Sequence, residues 1–487
     1  MTVLDNSKSI GISVSKFENF SEWYVQAILK SELVDYAPVK GFIVLRPYGY
    51  RIWGIISKTL DQRLTQTGHE NGFLPLLIPE SILAQEKKHF SGFNPEVYWV
   101  TEAGDERLSE RLALRPTSEA LAYSTFSNWV RSYRDLPLKM NFWNSALRAD
   151  IKGTKPLIRN SEFLWQEGHT VHTSEEEARN ESHDILKIYR EIIEQHLAIP
   201  CIGGYKSEKE KFVGAEETLS LESIMTDGKA LQMATSHNLG QNFSKSFNIK
   251  YLGRDDEEHF AWQTSWGLSW RLIGALIMVH GDDRGLIIPP RVAPIQVVIV
   301  PIFKDKDAPR IKGVAHEIKT KLENFGFRVF TDDRNEYTSG WKFNEWELKG
   351  VPLRINIGKR EIETGNVELV RRDNMNKTNV RRDDLGSKVA ELLKKIQANL
   401  FLQAKAVLNR SISSATNLEE LKSIIETRGG FVFCGWCQDQ NCEIRVKEVC
   451  GADLRVIPFD KQDLSKYPNC VYCKKKALRV AAFAQAY

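Results

Sequence analysis

Residues equipped to do chemistry gather in four places along the 487-residue chain. Arg148 and Asp150 stand in LRAD, and Arg159 follows beyond the Lys/Gly/Pro turn IKGTKPL. A guanidinium is a planar fork of donors that matches carboxylate or phosphate oxygens. A hairpin presenting two of them on one surface suits an anionic ligand. Phe163, just past Arg159, offers a ring for a base or a guanidinium to stack on. Alone, an R-x-D pair is an ordinary solvated hairpin. Upstream, Arg115-Pro116 leads into Thr117-Ser118-Glu119, where a hydroxyl and a carboxylate in a tight turn can hold an ammonium group. The same residues read equally as a helix start, with Thr117 or Ser118 as cap and Glu119 in the first turn. Third, the apolar helix in SWRLIGALIMVH carries Arg271 near its start. A charge there needs a partner, and a polyphosphate is one. Fourth, Cys201 stands apart while Cys434, Cys437, Cys442, Cys450, Cys470 and Cys473 crowd the end of the chain. In a cytosolic chain such a cluster binds metal more often than it forms disulfides. Spacing alone favours the two C-x-x-C pairs, Cys434/Cys437 and Cys470/Cys473, as a tetrahedral zinc site.

These groups need elements to place them. An aromatic-rich amphipathic helix is expected over 17–37. Another is expected from Pro47 to Thr67, where Ile52, Ile56, Leu60 and Leu64 recur every four residues and Gly68 ends the run. GFLPLLIPE (72–80) reads as an edge or interface strand. Ser174 and Glu177 have capping-box spacing at the head of a helix over 174–197. The strands between, such as 136–150 and 230–240, lack regularly alternating helices, which favours an α+β fold with an antiparallel sheet for residues 1–290. The proline-rich IIPPRVAP (287–294) marks a boundary, after which a βαβαβ order indicates an α/β domain over 294–400. Residues 401–487 follow as a helical connection and a cysteine-rich unit.

Composition sets the frame. With 42% hydrophobic and 27% charged residues the chain is an ordinary globular one, neither disordered nor collagen-like. No apolar run reaches the length of a membrane span, and the first residues lack the basic-then-apolar order of a signal peptide, so a cytoplasmic protein is expected. The net charge of +4 is unevenly spread, −5 over residues 1–293 and +9 over the rest, as in a protein whose C-terminal part meets a polyanion.

Taken together, LRPTSEALAYS, LRAD…LIRNSEFLWQEGHTVH, ATSHNLGQNFSKSF and SWGLSWRLIG resemble the prolyl-tRNA synthetases of class II, in the archaeal/eukaryotic-type branch with a C-terminal zinc-binding extension. The likeness runs from about Phe17 to Tyr487. It implies a class II catalytic domain over 1–290 (an antiparallel sheet with flanking helices), an anticodon-binding α/β domain over 294–400 and a small zinc-binding α+β domain over 401–487. The helix 47–67 and the strand ending at Pro75 match motif 1, the family's dimer interface, so a homodimer is implied. Arg148 matches the motif 2 arginine that grips the ATP α-phosphate and the amino-acid carboxylate, and Arg271 the motif 3 arginine on the γ-phosphate. Phe163 would stack on adenine. Asp150, Arg159, Asn160, Gln232, Thr235 and Ser269 match nucleotide-contacting positions. Thr117, Ser118, Glu119 and His237 match the proline pocket, with Glu119 receiving the secondary ammonium. Asp150 stands where glutamate is common, and Ser269 where threonine is.

The implied reaction joins L-proline and ATP to prolyl-adenylate and pyrophosphate, then passes proline to the 3′ end of tRNA(Pro), with Mg²⁺ and no side-chain acid or base. Misactivation of cysteine or alanine is expected. The stretch from 163 to 265 is too short for the inserted editing domain of many bacterial members. The resemblance makes Cys437 and Cys442, rather than Cys434 and Cys437, the first zinc pair, completed by Cys470 and Cys473. Family members of this type end in a tyrosine whose carboxylate approaches the active site, the place of Tyr487. Within 294–400 the charged run Asp332, Arg334, Lys342, Glu345 and Lys349 is a candidate reader of bases and phosphates.

Overall fold

The structure is a computed structural model that describes residues 11–89, 96–151, 153–304, 306–460 and 462–487. The first ten residues, on which the reading of a missing signal peptide rests, lie outside it. The first helix, Phe20–Lys30, is shorter than its aromatic pattern suggested. Asn19 caps it by accepting the Glu22 N–H, and it buries Trp23, Tyr24, Ala27 and Ile28. It stops because Glu32 adopts a left-handed φ of 61°, after which Val34–Tyr36 pairs with Ile43–Leu45 as a small hairpin. Helix Pro47–Gln66 follows expectation closely, with Pro47 in its first turn and Ile52, Ile56, Leu60 and Leu64 in the core. The single strand expected over 72–80 is instead two pieces. Glu70–Gly72 runs parallel to the strand Leu138–Leu147, while Leu77–Pro79 joins a separate three-stranded sheet.

The main sheet has eleven strands among the described residues. From the Glu70–Gly72 edge it passes through Leu138–Leu147, Glu162–His172, Trp262–Ser269, Ala230–Gly240, Glu217–Ile224 and Ile202–Tyr205. All of these neighbours are antiparallel except the edge pair. Helices Pro47–Gln66, Glu175–Glu191 and Arg271–His280 contribute to the apolar layer packed on it. Ser174 caps the second of these through the Glu177 N–H. Glu177 reaches back to Thr173 rather than to Ser174, so the expected capping box is shifted by one residue.

The main sheet does not stop at strand Ile202–Tyr205. Ile457 and Pro458 of strand Asp453–Pro458 pair with Tyr205 and Gly204, so the strands of residues 412–484 continue it. A buried charge cluster sits at this seam. Arg455 donates twice to Glu222 at 3.0 and 2.8 Å, and Lys206 donates to Glu222 at 2.7 Å and to the Arg455 carbonyl at 2.8 Å.

Residues 297–381 form a second sheet, ordered Val329–Thr331, Val297–Pro301, Leu353–Ile357, Asn366–Arg371, Lys377–Arg381. The first three strands are the parallel βαβαβ unit read from the sequence, and the last two add an antiparallel edge. This sheet is tied to the preceding residues by Leu286 N–H to Leu348 O at 3.0 Å, Ile288 N–H to Gly350 O at 3.1 Å, and the Arg372–Asp282 pair at 2.8 Å. Helix Leu385–Arg410 then runs unbroken past residue 400 toward the cysteine-rich unit.

Candidate active site

The central strands line a cavity of about 260 Å³ on one face of the main sheet. Three segments build its walls, and each is placed by local chemistry. The first is the connection 148–161 between the two long hairpin strands. Arg148 leaves the strand with its N–H on Ser161 O at 2.7 Å. Contrary to expectation, Arg148 and Arg159 stand in this connection rather than on the strands, yet both line the cavity. Gly41, at a φ of 90°, lets its carbonyl approach the end of the connection and accept the Ser161 N–H at 3.0 Å and Asn160 Nδ2 at 3.4 Å. A Cβ there would lie 2.6 Å from Ser161 Oγ, so only glycine fits. Asn160 Oδ1 is buried without a partner, a free acceptor in the wall.

The second wall is the start of helix Glu119–Trp129. Thr117 and Glu119 line the cavity, and Thr117 Oγ1 donates to Glu119 Oε2. Ser118 holds the cap position without capping. Its hydroxyl and N–H both turn to the Glu167 carboxylate, so Ser118 does not line the cavity. Asp150 is likewise outside the lining, exposed and acting on Arg148 only through its field.

The third wall is strand Ala230–Gly240 with the start of helix Arg271–His280. Gln232, Thr235 and His237 fall on it, beside Ser269 and Arg271. Arg271 Nε donates to Ile158 O at 3.1 Å and Nη1 to Gln232 O at 3.4 Å. Arg148 Nε donates weakly to Pro116 O at 3.4 Å, and its guanidinium lies 5.3 Å from the Phe163 ring. Among the described residues neither arginine has a carboxylate within salt-bridge distance. Burial, together with the repulsion of Arg148, lowers Arg271 to about 10. Two cations facing one cavity without counter-ions call for an anionic guest.

Three residues that shape the lining, Trp165, Glu167 and Phe212, were missed from the sequence. Trp165 and Glu167 alternate with Phe163 along strand Glu162–His172 and so face the same cavity, a period-two signal that was there to be read. Burial alone would raise the Glu167 carboxyl, but bonds from His169, Ser118 and Asn144 hold it below its ordinary value, so it stays an anion at the cavity floor. Phe212, from an irregular segment, lies 4.7 Å from the His237 ring and closes the pocket side, and no local pattern marks it. His237 accepts or donates at Nδ1 with Thr218 at 3.0 Å, and burial and His169 lower it to about 3, leaving a neutral ring.

The charged candidates of residues 294–400 divide. Asp332 and Lys342 are buried and bonded inward, Asp332 to Arg334 and Trp346 and Lys342 to the Asp332 carbonyl. Lys349 is drawn to Glu32 of the catalytic unit at 2.8 Å. Arg334 is half-exposed beside the Tyr337 and Trp341 rings.

Away from the cavity, the sulfurs of Cys437, Cys442, Cys470 and Cys473 all lie within 4.8 Å of one another. Cys437 is 3.6 Å from both Cys442 and Cys473. Four thiolates at Zn–S bonds of about 2.3 Å have sulfurs about 3.8 Å apart, so the donor set and its spacing fit tetrahedral zinc. Cys434, favoured by spacing alone, lies within strand Phe431–Trp436, fully buried with its sulfur against the Val432 carbonyl. It packs in the core instead.

Comparison with known proteins agrees with this geometry. Residues 98–280 match the tRNA synthetase class II core domain (G, H, P, S and T), residues 296–392 the anticodon binding domain, and residues 418–487 the prolyl-tRNA synthetase C-terminal domain. The chain is 53% identical to the proline–tRNA ligase of Cenarchaeum symbiosum over 98% of its length and 100% of the relative's. It is 50% identical to that of Natranaerobius thermophilus over 96% and 97%. The crystal structure of prolyl-tRNA synthetase from Cryptosporidium parvum, complexed with halofuginone and AMPPNP, superposes with a TM-score of 0.93 at 41% identity, covering 98% of this chain and 100% of that one. With the class II core, the anticodon-binding domain and the dedicated C-terminal unit all in place, the chain belongs to the prolyl-tRNA synthetase (proline–tRNA ligase) family.

Proposed function

We propose that the cavity joins L-proline to ATP, forming prolyl-adenylate and releasing pyrophosphate, and then passes proline to the 3′ end of tRNA(Pro). The observation that carries this is the pair of guanidiniums, Arg148 and Arg271, that face one cavity beside the Thr117–Glu119 couple with no carboxylate in salt-bridge distance among the described residues. A carboxylate attacking a phosphorus brings two anions together, so fixed cations matter more than proton transfer. Arg148, between the two walls, holds the proline carboxylate and the α-phosphate. Arg271 takes the γ-phosphate, Phe163 the adenine ring, and Arg159, Asn160, Gln232, Thr235 and Ser269 complete the nucleotide slot. Glu119 receives the secondary ammonium, while neutral His237 and Phe212 pack on the pyrrolidine ring. ATP enters as its Mg²⁺ complex, the ion held chiefly by phosphate oxygens. Ser118 and Asp150 act one step removed, Ser118 by fixing Glu167 and Asp150 by its charge near Arg148.

The four-cysteine cluster is proposed as a structural zinc site, since four thiolates leave no open position for substrate. Phe73, 83% exposed, with Leu76 and Leu77 nearby, supports a homodimer through the segment after helix Pro47–Gln66. Among the described residues no helix is long and apolar enough to cross a membrane, which suits a cytoplasmic role.

ATP–pyrophosphate exchange across a panel of amino acids tests the activity. Proline is expected to support exchange strongly, with cysteine and alanine weakly accepted. Stronger exchange with threonine, or none with proline, refutes the reading. Ala-tRNA(Pro) is expected to persist in the presence of the enzyme, and its rapid enzyme-dependent hydrolysis would show an editing activity in this chain.

A further inference from the structure

Lys155 lies in the connection 148–161, beside the cavity but not in its lining. Three aromatic rings surround its ammonium, with centroids 5.4 Å away at Phe20, 5.1 Å at Tyr24 and 4.9 Å at Tyr487. All three are within the range where a ring face attracts a cation. The main chain around Lys155 is also locked. Its N–H bonds Arg159 O at 2.9 Å, its carbonyl accepts from Ile158 and Arg159, and Tyr24 donates to Pro156 O at 2.8 Å.

The rings come from different places. Phe20 and Tyr24 belong to the first helix, whereas Tyr487 is fastened to the opposite wall of the cavity. Its N–H bonds Ala230 O at 3.1 Å, Ala230 N–H bonds Gln485 O at 2.7 Å, and its hydroxyl donates to Asp227. Ala230 opens the strand that carries Gln232, Thr235 and His237. Lys155 and Tyr487 therefore join the wall bearing Arg159 and Asn160 to the wall bearing Gln232 and Thr235.

We propose that Lys155, clasped by Phe20, Tyr24 and Tyr487, is a positioning residue that holds these two walls at their working separation, so that the nucleotide meets a slot already formed. The inference rests on the ATP-binding reading above. A pre-organised slot spares the nucleotide the cost of ordering the loop. Its signature is therefore an effect mainly on ATP, because Arg159, Asn160, Gln232 and Thr235 of the two clasped walls face the nucleotide, whereas Thr117 and Glu119 stand on the wall that the clasp does not touch.

The test is proline-dependent exchange measured on the unmodified chain and on K155M, K155R, Y487A and the K155M/Y487A double variant. K155M is expected to raise the KM for ATP about tenfold, with the proline KM and kcat changed less than twofold. K155R keeps a cation in the cage and is expected to stay near the unmodified value. Y487A leaves the main chain of residue 487 in place and is expected to act like K155M. The double variant is expected to be no worse than the worse single one, since both remove one clasp. Hydrogen exchange of residues 148–161 without nucleotide is expected to quicken in K155M and Y487A. Equal effects on proline and ATP, a K155R as impaired as K155M, additive effects in the double variant, or unchanged hydrogen exchange would each overturn the inference. Failure of the unmodified chain to exchange with proline would instead refute the activity, and the hydrogen-exchange comparison would still decide the clasp.

Discussion

Replacing Arg271 is the sharpest probe of the phosphate-binding reading. A guanidinium has five N–H groups, and two of those on Arg271 are spent on Ile158 O and Gln232 O. The Nη2 face is left for the ligand, with no carboxylate within salt-bridge distance among the described residues and Glu222 acting only through its field. A charge-assisted hydrogen bond contributes about 1.5–3 kcal/mol, so two of them to a phosphate amount to about 3–6 kcal/mol. That converts to a loss of about 10²–10⁴ in kcat/KM for ATP in R271A. R271K keeps the charge but forfeits the fork and the two carbonyl bonds, and is expected to lose about 10- to 100-fold. In both variants the proline KM is expected to stay within about threefold, because Thr117 and Glu119 line the cavity from the start of a different helix than the one carrying Arg271. The assay is ATP–pyrophosphate exchange with ATP and proline varied in turn, and folding is checked by circular dichroism. An R271K enzyme with unaltered kcat/KM for ATP, or an R271A enzyme in which the proline KM rises as far as the ATP KM, would refute the reasoning.

Three further outcomes are expected. Native mass spectrometry is expected to find one zinc per chain in the unmodified protein and in C434S but none in C442S, and the reverse pattern would place the metal on the C-x-x-C pairs. Stability is expected to fall as pH drops below about 6.5. Burial holds His172 and His280 down to about 4 and His237 to about 3, so the fold keeps them neutral. His172 and His280 each contribute on the order of 3 kcal/mol and His237 on the order of 5 kcal/mol, fully present above about 6.5 and lost toward pH 4 and pH 3 respectively, because the unfolded chain binds protons that the fold does not. Glu181, paired with His69 and Lys139 and held at about 2, adds a further loss below pH 4.5. Urea midpoints at pH 7.5, 5.5 and 4.5 measure this, and equal midpoints would contradict it. Finally, F73E is expected to run as a folded monomer in analytical ultracentrifugation where the unmodified chain is dimeric, and a dimeric F73E would exclude that face as the interface.

Much of this was visible in the order of residues, for definite reasons. Helix Pro47–Gln66 could be read because its period, first-turn proline and following glycine all agree. The cavity residues from Thr117 to Arg271 were reachable because several short motifs together identify a family that no one of them would. Failures arose where contacts across the chain decided the outcome. Ser118 leaves its cap because Glu167, on a strand far along the sequence, offers a buried anion for its hydroxyl. Cys434 looks like a ligand by spacing, but strand Phe431–Trp436 turns it into the core while the helix starting at Gln440 brings Cys442 to Cys437. Phe212 comes from a segment without period, so its place beside His237 follows only from the fold.

The seam at Tyr205 and Ile457 means that the cysteine-rich unit is not a detachable module. A chain cut near residue 400 would present strand Ile202–Tyr205 as a bare edge with open amide and carbonyl groups, an invitation to aggregate. It would also leave Glu222 in the interior with Lys206 as its one remaining salt-bridge partner among the described residues, and breaking a buried ion network costs several kcal/mol. Truncations made to isolate the class II core are thus poor reporters of what that core does, since the terminal unit is architecturally the continuation of its sheet.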